Sequence, residues 1–378
     1  MKNIIVVVTA ALLLFGIART EPTVWYVHPD SALNSIQTAL DSCADNDIVL
    51  VGPGTYVENI IWPNTQDIHL VSELGPEVTI IDGGNPTNPD SASVIVFVSG
   101  QDTTTMVYGF TIQNGTGTWD GWPYYLGCGI YCSNSSPTIA MNIITGNEAA
   151  GGHGGGIYCF NADPIIIKNE IRENSVGEPW GGNGGGICCI GSSPMIIGNI
   201  ITDNMAEDGG GGIYCGDNSS PIIDSCIITS NGERTGVTCQ DNSAPTIHHC
   251  DIADHFEWGL RNWDDNIVVN AKDNWWGHAS GPYHPDSNPG GLGDRVSDYV
   301  DFIPWLTEPV GVKEKEIIEV ERRESRATIF SGPLRLPEGR TCRVFDIMGR
   351  VVAPDKMKPG IYFVEVDGEI TQKVVKIR

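Results

Sequence analysis

Aromatic and acidic residues gather in the segments that precede a recurring Gly-Ile-Tyr phrase. Flat aromatic rings stack on the faces of pyranose sugars, and carboxylates accept hydrogen bonds from hydroxyl groups or hold calcium. We therefore interpret these segments as a candidate polysaccharide-binding surface, with Ca2+ as a candidate cofactor. The candidate ligand-binding residues are Trp119, Trp122, Tyr124, Tyr125, His153 and Trp180, and the candidate calcium ligands are Asp120, Glu148, Glu207 and Asp208.

Catalysis would require specific residue types at defined distances within the same segments. A glycoside hydrolase needs two carboxylates about 5 Å apart if it retains the anomeric configuration and about 6.5–9.5 Å apart if it inverts it. A lyase instead needs a strong base, for which the sequence context favours Arg172. The candidate carboxylate pairs are Glu178 with Glu207 or Asp208, and Asp264 with Asp265.

The phrase, which reads Gly-Ile-Tyr-Cys in three copies and a variant of it in two, occurs five times and predicts the fold. Its copies begin at Gly129, Gly156, Gly186, Gly212 and Gly236, so the steps are 27, 30, 26 and 24 residues. Periods of this size are typical of solenoids. Each repeat holds three short β stretches separated by polar corners, which predicts a three-sided coil, and about nine such coils fit the chain.

Within each repeat, alternation predicts which side chains point inward. The isoleucines and cysteines of the phrase are expected in the core, and stacked asparagines at two corners would satisfy buried backbone groups. One corner series is Asn142, Asn169, Asn199, Cys226 and Cys250, and the other is Asn147, Asn174, Asn204, Asn231 and His255.

The repeats differ in length at one corner, just before the phrase. Insertions at one corner would stack into a single face, which could bind a ligand or could consist of glycine-rich loops that a solenoid merely tolerates. The outward Tyr131, Tyr158 and Tyr214 could extend that face, although cross-strand stacking is the reading we favour.

These patterns resemble the pectin-lyase-like family of right-handed parallel β-helices. The resemblance rests on residues 48–56, 79–83 and 274–277 and on the repeated phrase, and it covers roughly residues 24–306. It implies an all-β right-handed parallel β-helix solenoid, opened by a capping helix over 35–40. The family includes lyases, hydrolases, esterases, epimerases, adhesins and inert scaffolds, so the fold alone does not choose a function.

The amino-acid composition changes after residue 309. After a charged linker over 310–326, residues 327–378 resemble the type A sorting domain of the type IX secretion system, through the segments 343–351, 358–366 and 371–378. The resemblance implies a small β-sandwich-like module that engages the outer-membrane type IX machinery of a diderm bacterium. The alternative is an ordinary terminal β-sandwich.

The N-terminal segment and the charge of the expected β-helix limit the kinds of partner that we expect. Residues 1–20 have the basic start, short apolar run and small-residue site of a secretory signal peptide, and we expect no transmembrane segment in the mature chain. The expected β-helix, residues 21–309, carries 6 basic and 36 acidic side chains. Such a surface repels nucleic acid and favours cations or neutral ligands.

Eleven cysteines in a secreted chain leave at least one unpaired. We expect the five cysteines of the phrase to be reduced, because parallel neighbours in register point the same way. Cys226 and Cys250, which replace asparagines in one corner series, are the predicted disulfide.

The preferred hypothesis is a secreted or cell-surface β-helix that binds neutral polysaccharide or cell-envelope glycan, or serves as a structural or adhesive surface module. The alternative is a polysaccharide-degrading lyase or glycoside hydrolase of the same fold.

Overall fold

A computed structural model describes the body of the chain over residues 22–119, 125–177, 181–232 and 235–311. Its C-terminal part is described over 328–330, 334–337, 339–346, 351–357, 360–366 and 369–376. The predicted signal peptide and most of the predicted linker lie outside these ranges. No helix within the described ranges has the length and apolar character needed to cross a bilayer.

The body is a parallel β-helix built from three long sheets, which confirms the predicted fold class. We name them sheets A, B and C. Sheet A has eleven strands, two more than the expected number of coils. Its strands are Val24–Val27, Ile48–Val51, His69–Ser72, Met106–Tyr108, Thr138–Ala140, Ile165–Ile167, Met195–Ile197, Ile222–Asp224, Thr246–His248, Val269–Asn270 and Val300–Asp301. The strands of sheet B are Gly54–Val57, Thr79–Asp82, Thr111–Gln113, Ile143–Thr145, Glu170–Arg172, Ile200–Thr202, Ile227–Thr229 and Asp251–Ala253. The strands of sheet C are Ile60–Ile61, Ile95–Phe97, Ile130–Ser133, Ile157–Phe160, Ile187–Ile190, Ile213–Gly216, Thr235–Cys239 and Trp258–Asn262.

Smaller sheets complete the body. The first, named the corner sheet, comprises Ser91–Ala92, Gly117–Trp119, Tyr125–Leu126, Gly152–His153 and Gly182–Asn183; the second comprises Glu148–Ala149, Ser175–Val176 and Met205–Ala206; the third comprises Pro282–Tyr283 and Gly293–Arg295.

The core follows the predicted alternation. In sheet A the middle residue of successive strands, such as Ile139, Ile166 and Ile196, is completely buried. Each such isoleucine stabilises the coil by about 1.5–3 kcal/mol relative to an exposed one. The five phrase cysteines stack in one inward rung in register, as predicted: Cys132, Cys159, Cys189, Cys215 and Cys239.

Both predicted asparagine ladders form. The Oδ1 atom of Asn174 accepts hydrogen bonds from the backbone N–H and the Nδ2 group of Asn147, at 3.2 and 2.8 Å. The Nδ2 group of Asn174 in turn donates to the Ile144 carbonyl at 2.8 Å and to Asn204 Oδ1 at 2.9 Å. Each side chain therefore satisfies a backbone carbonyl of one coil while it links two coils.

The disulfide predicted between Cys226 and Cys250 is not formed, and both thiols are free. The Asn199 N–H donates to Cys226 Sγ, and the Cys226 N–H donates to Cys250 Sγ, each at 3.4 Å. The sulfurs thus replace the asparagine oxygens as ladder acceptors. Each thiol also donates to a backbone carbonyl of the preceding coil, Cys226 to Ile196 and Cys250 to Ile223, so both sulfurs are engaged with backbone.

Separate elements close the two ends of the body. The helix Ile36–Leu40 covers the first coil, as predicted, and the Glu58 carboxylate accepts hydrogen bonds from the Ile36 and Gln37 N–H groups at 2.9 Å. At the other end, His255 Nδ1 lies 2.7 Å from Asp294 Oδ2. This contact ties the last asparagine-ladder position to the segment that closes the solenoid.

The C-terminal module is a four-stranded sheet with a short 3-10 turn, Pro354–Lys356. Its strands are Thr328–Phe330, Cys342–Asp346, Gly360–Val366 and Glu369–Lys376. Alternate residues of the strand Gly360–Val366 point to opposite faces of the sheet. Tyr362 and Val364 enter the small core of the module, whereas Phe363 packs against the outer face of sheet A.

Candidate functional site

The insertions before the phrase stack into the corner sheet, as the varying repeat lengths predict. Tyr125–Leu126 pairs in parallel with Gly152–His153, which pairs with Gly182–Asn183, and an isolated bridge joins Asn183 to Gly209. Four successive coils therefore contribute backbone to one continuous surface along the solenoid. We call this the corner surface.

Trp119 and Tyr125 form the aromatic part of the corner surface. They are direct partners in an antiparallel pair of strands, so their side chains lie on the same side of the sheet. Trp119 is 46% exposed. Gly152 adopts φ 118°, and a Cβ atom there would overlap the Tyr125 carbonyl oxygen, so only glycine lets the next coil approach this aromatic pair.

His153 and Asp208 come together on the same surface, although they lie two coils apart. The Asn183 N–H donates to His153 Nδ1 at 3.2 Å. Asp208 reaches the position that a side chain on Gly181 would fill, and its N–H donates to the Gly182 carbonyl at 2.9 Å. Burial lowers the pKa of His153, and the negative charge of Asp208 partly opposes that shift.

Glu148 and Glu207, the other predicted calcium ligands that the structure describes, do not join this pair. Glu148 lies in the adjacent three-stranded sheet, in register with Ser175, and the Glu207 carboxylate lies beside Gly177. No group of three His, Cys, Asp or Glu side chains in the described ranges could hold a metal ion. Several predicted site residues fall outside those ranges: Asp120, Trp122, Tyr124, Glu178 and Trp180.

Two of the predicted catalytic groups, Arg172 and Asp264, are engaged in local contacts. Arg172 forms ion pairs with Glu170 at 2.7 Å and Glu173 at 2.9 Å. The guanidinium is thus held between two carboxylates of its own segment. Asp264 accepts a hydrogen bond from the Asn242 N–H at 2.8 Å.

Two of the outward tyrosines of sheet C, Tyr131 and Tyr158, stack on each other rather than extend the corner surface. Tyr131 and Tyr158 are partners in register, and their rings are stacked with centroids 5.7 Å apart. Tyr131, Tyr158 and Tyr214 are all buried. This confirms the cross-strand interpretation for Tyr131 and Tyr158, whereas Tyr214 lies in register with Cys188.

Sequence reasoning missed one group of residues at the closing end. Trp263, Arg261, Trp258, Arg295 and Tyr283 form an alternating row of rings and guanidinium groups. The signal in the sequence was the short segment 258–263, which places one of the few body cations between two tryptophans.

The comparisons with known proteins support the fold and no particular activity. No curated protein matches the chain. Residues 94–274, which span the coils that carry the corner surface, match the family described as "Right handed beta helix region". Over this range the chain is similar to right-handed β-helix proteins.

Proposed function

We propose that this protein binds a neutral polysaccharide along the corner surface. The observation that carries the proposal is the pairing of Trp119 with Tyr125 at one end of a surface that runs across four coils. Exposed aromatic rings stack on sugar faces, and a surface repeated from coil to coil suits a ligand that is itself a repeating chain.

Charge supports a neutral ligand at this surface. Asp208, Glu148 and Glu207 are exposed carboxylates on or beside it. Carboxylates accept hydrogen bonds from sugar hydroxyls, whereas they repel an anionic polymer. Calcium, which the sequence suggested as a cofactor, is not needed for this mode of binding.

The proposed location is the cell exterior. The support is the signal-peptide pattern of residues 1–20 and the resemblance of residues 327–378 to a type IX sorting domain. Deletion of 327–378 in a diderm host that has this secretion system should leave the protein inside the cell. Surface display of the truncated protein would contradict the proposal.

The binding proposal is tested with purified protein against a panel of neutral and acidic polysaccharides in affinity gel electrophoresis, with calcium and with chelator. We expect retardation by at least one neutral polymer, unaffected by chelator. Release of new reducing ends in the same samples would instead establish a polysaccharide-degrading enzyme. No retardation by any neutral polymer would contradict the proposal.

A further inference from the structure

The closing end of the solenoid carries a second aromatic surface, distinct from the corner surface in position and in charge. Arg261 Cζ lies 3.5 Å from the centroid of the Trp263 ring and 5.3 Å from that of Trp258. Arg295 Cζ lies 4.0 Å from the Trp258 ring and 5.9 Å from the Tyr283 ring. We call these five residues the Arg-Trp row.

Two elements that are separate in the sequence build the row. Trp258 and Arg261 belong to the last strand of sheet C, where Arg261 pairs in register with the outward Thr238. Tyr283 and Arg295 are register partners in the two-stranded sheet of the closing segment. The row is therefore held on paired backbone, which fixes the spacing of its side chains.

The row remains open to solvent. Trp263 is 56% exposed and Tyr283 is 37% exposed. A guanidinium that stacks on a ring uses its flat face, and its N–H donors lie in the plane of the group. Stacking therefore orients a guanidinium without consuming the donors that pair with carboxylate or sulfate oxygens.

Three carboxylates close to the row in sequence have other partners. Asp294 is held by His255 at 2.7 Å, Asp298 lies 3.2 Å from His284, and Asp264 accepts from Asn242. Arg295 itself forms no ion pair with any residue in the described ranges. By contrast, Lys272 is paired with Asp301 at 2.7 Å.

We propose that the Arg-Trp row binds an anionic saccharide unit, one that carries a carboxylate or a sulfate group. The rings stack on the sugar face, and the guanidinium group of Arg295 pairs with the anionic substituent. The body carries 6 basic and 36 acidic side chains, so most of its surface repels anions. The two arginines of the row supply positive charge at one place on this acidic body. The ligand differs in charge from the one proposed for the corner surface.

The test uses the full-length protein in isothermal titration calorimetry at low salt with three oligosaccharides of one backbone: cellotetraose, its C6-carboxylated form and its 6-sulfated form. We expect at least one anionic form to bind at least fivefold more tightly than cellotetraose, and its affinity to fall as salt rises. The carboxylated and sulfated forms distinguish the two anionic groups.

Matched variants locate the site. Arg295→Gln should weaken binding of the anionic oligosaccharide at least fivefold, and Trp263→Ala should also weaken it. The control is Lys272→Gln, which removes the same charge from an existing ion pair. This control should change the affinity for the anionic oligosaccharide less than twofold. Retention of neutral-polymer binding in Arg295→Gln separates this proposal from the corner-surface proposal. Equal weakening by Lys272→Gln, or no preference of the wild type for either anionic form, would overturn the inference.

Discussion

The ring of Tyr108 in sheet A packs against the ring of Phe363 in the C-terminal module, with centroids 6.4 Å apart. Tyr108 belongs to an apolar cluster on the outer face of the solenoid, where Ile48, Leu50 and Val71 are also buried. Burial raises the pKa of Tyr108 well above its ordinary value. The contact places the C-terminal module against the first half of sheet A.

Replacement of Phe363 by Asp should loosen this contact, because a carboxylate cannot be buried against the apolar cluster without a partner. We expect the fluorescence of an added hydrophobic dye to increase because the cluster becomes exposed. The far-ultraviolet circular dichroism spectrum of the β-helix should not change. Val351→Asp, at a position 63% exposed, is the matched control. Equal dye fluorescence in the two variants would show that the contact does not cover the cluster.

Asn174→Ala should destabilise the solenoid by about 2–6 kcal/mol. The change leaves the Asn147 N–H and the Ile144 carbonyl without their ladder partners, and each buried unsatisfied group costs about 1–3 kcal/mol. The measurement is denaturant unfolding followed by circular dichroism. Asn266→Ala, at an exposed asparagine, should change the free energy of unfolding by less than about 0.5 kcal/mol.

Cys226 and Cys250 should be free thiols in the purified protein. Both are buried, so they should react with a thiol reagent only after the chain is unfolded. The measurement is the mass after alkylation in denaturant without reductant, compared with a sample reduced first. Identical numbers of alkylated cysteines are expected, and two additional sites after reduction would establish the disulfide.

His153 should titrate below the ordinary histidine pKa of about 6.5, since burial disfavours its charged form. The unfolded chain then binds a proton more readily than the folded one, so the contribution of His153 to stability is present above pH about 6.5 and is lost as the pH falls. Asp208→Asn should lower the pKa further, because it removes the opposing charge.

The measurement for His153 is a nuclear magnetic resonance titration of its imidazole signals in the wild type and in Asp208→Asn. Asp203→Asn, at an exposed carboxylate outside the corner surface, is the control. A pKa that rises in Asp208→Asn would contradict the proximity of Asp208 to His153.

Regular features were predictable from the sequence because a stacked solenoid repeats one residue type at one position. The cysteine rung, the asparagine ladders and the corner insertions all follow from spacing alone. The Arg-Trp row was not predictable, because Arg261 and Arg295 meet only after the closing segment folds back on the last coil. The ion pairs of Arg172 and the packing of Tyr108 on Phe363 likewise depend on side-chain contacts that repeat spacing does not specify.

The central claim is that the corner surface binds a neutral polysaccharide, and the most direct test is the affinity of Trp119→Ala for the neutral polymer that retards the wild type. Trp263→Ala is the matched control, since it removes an exposed tryptophan from the other aromatic surface. We predict that Trp119→Ala weakens binding at least tenfold while Trp263→Ala changes it less than twofold. Unchanged affinity in Trp119→Ala, or equal loss in both variants, would contradict the account.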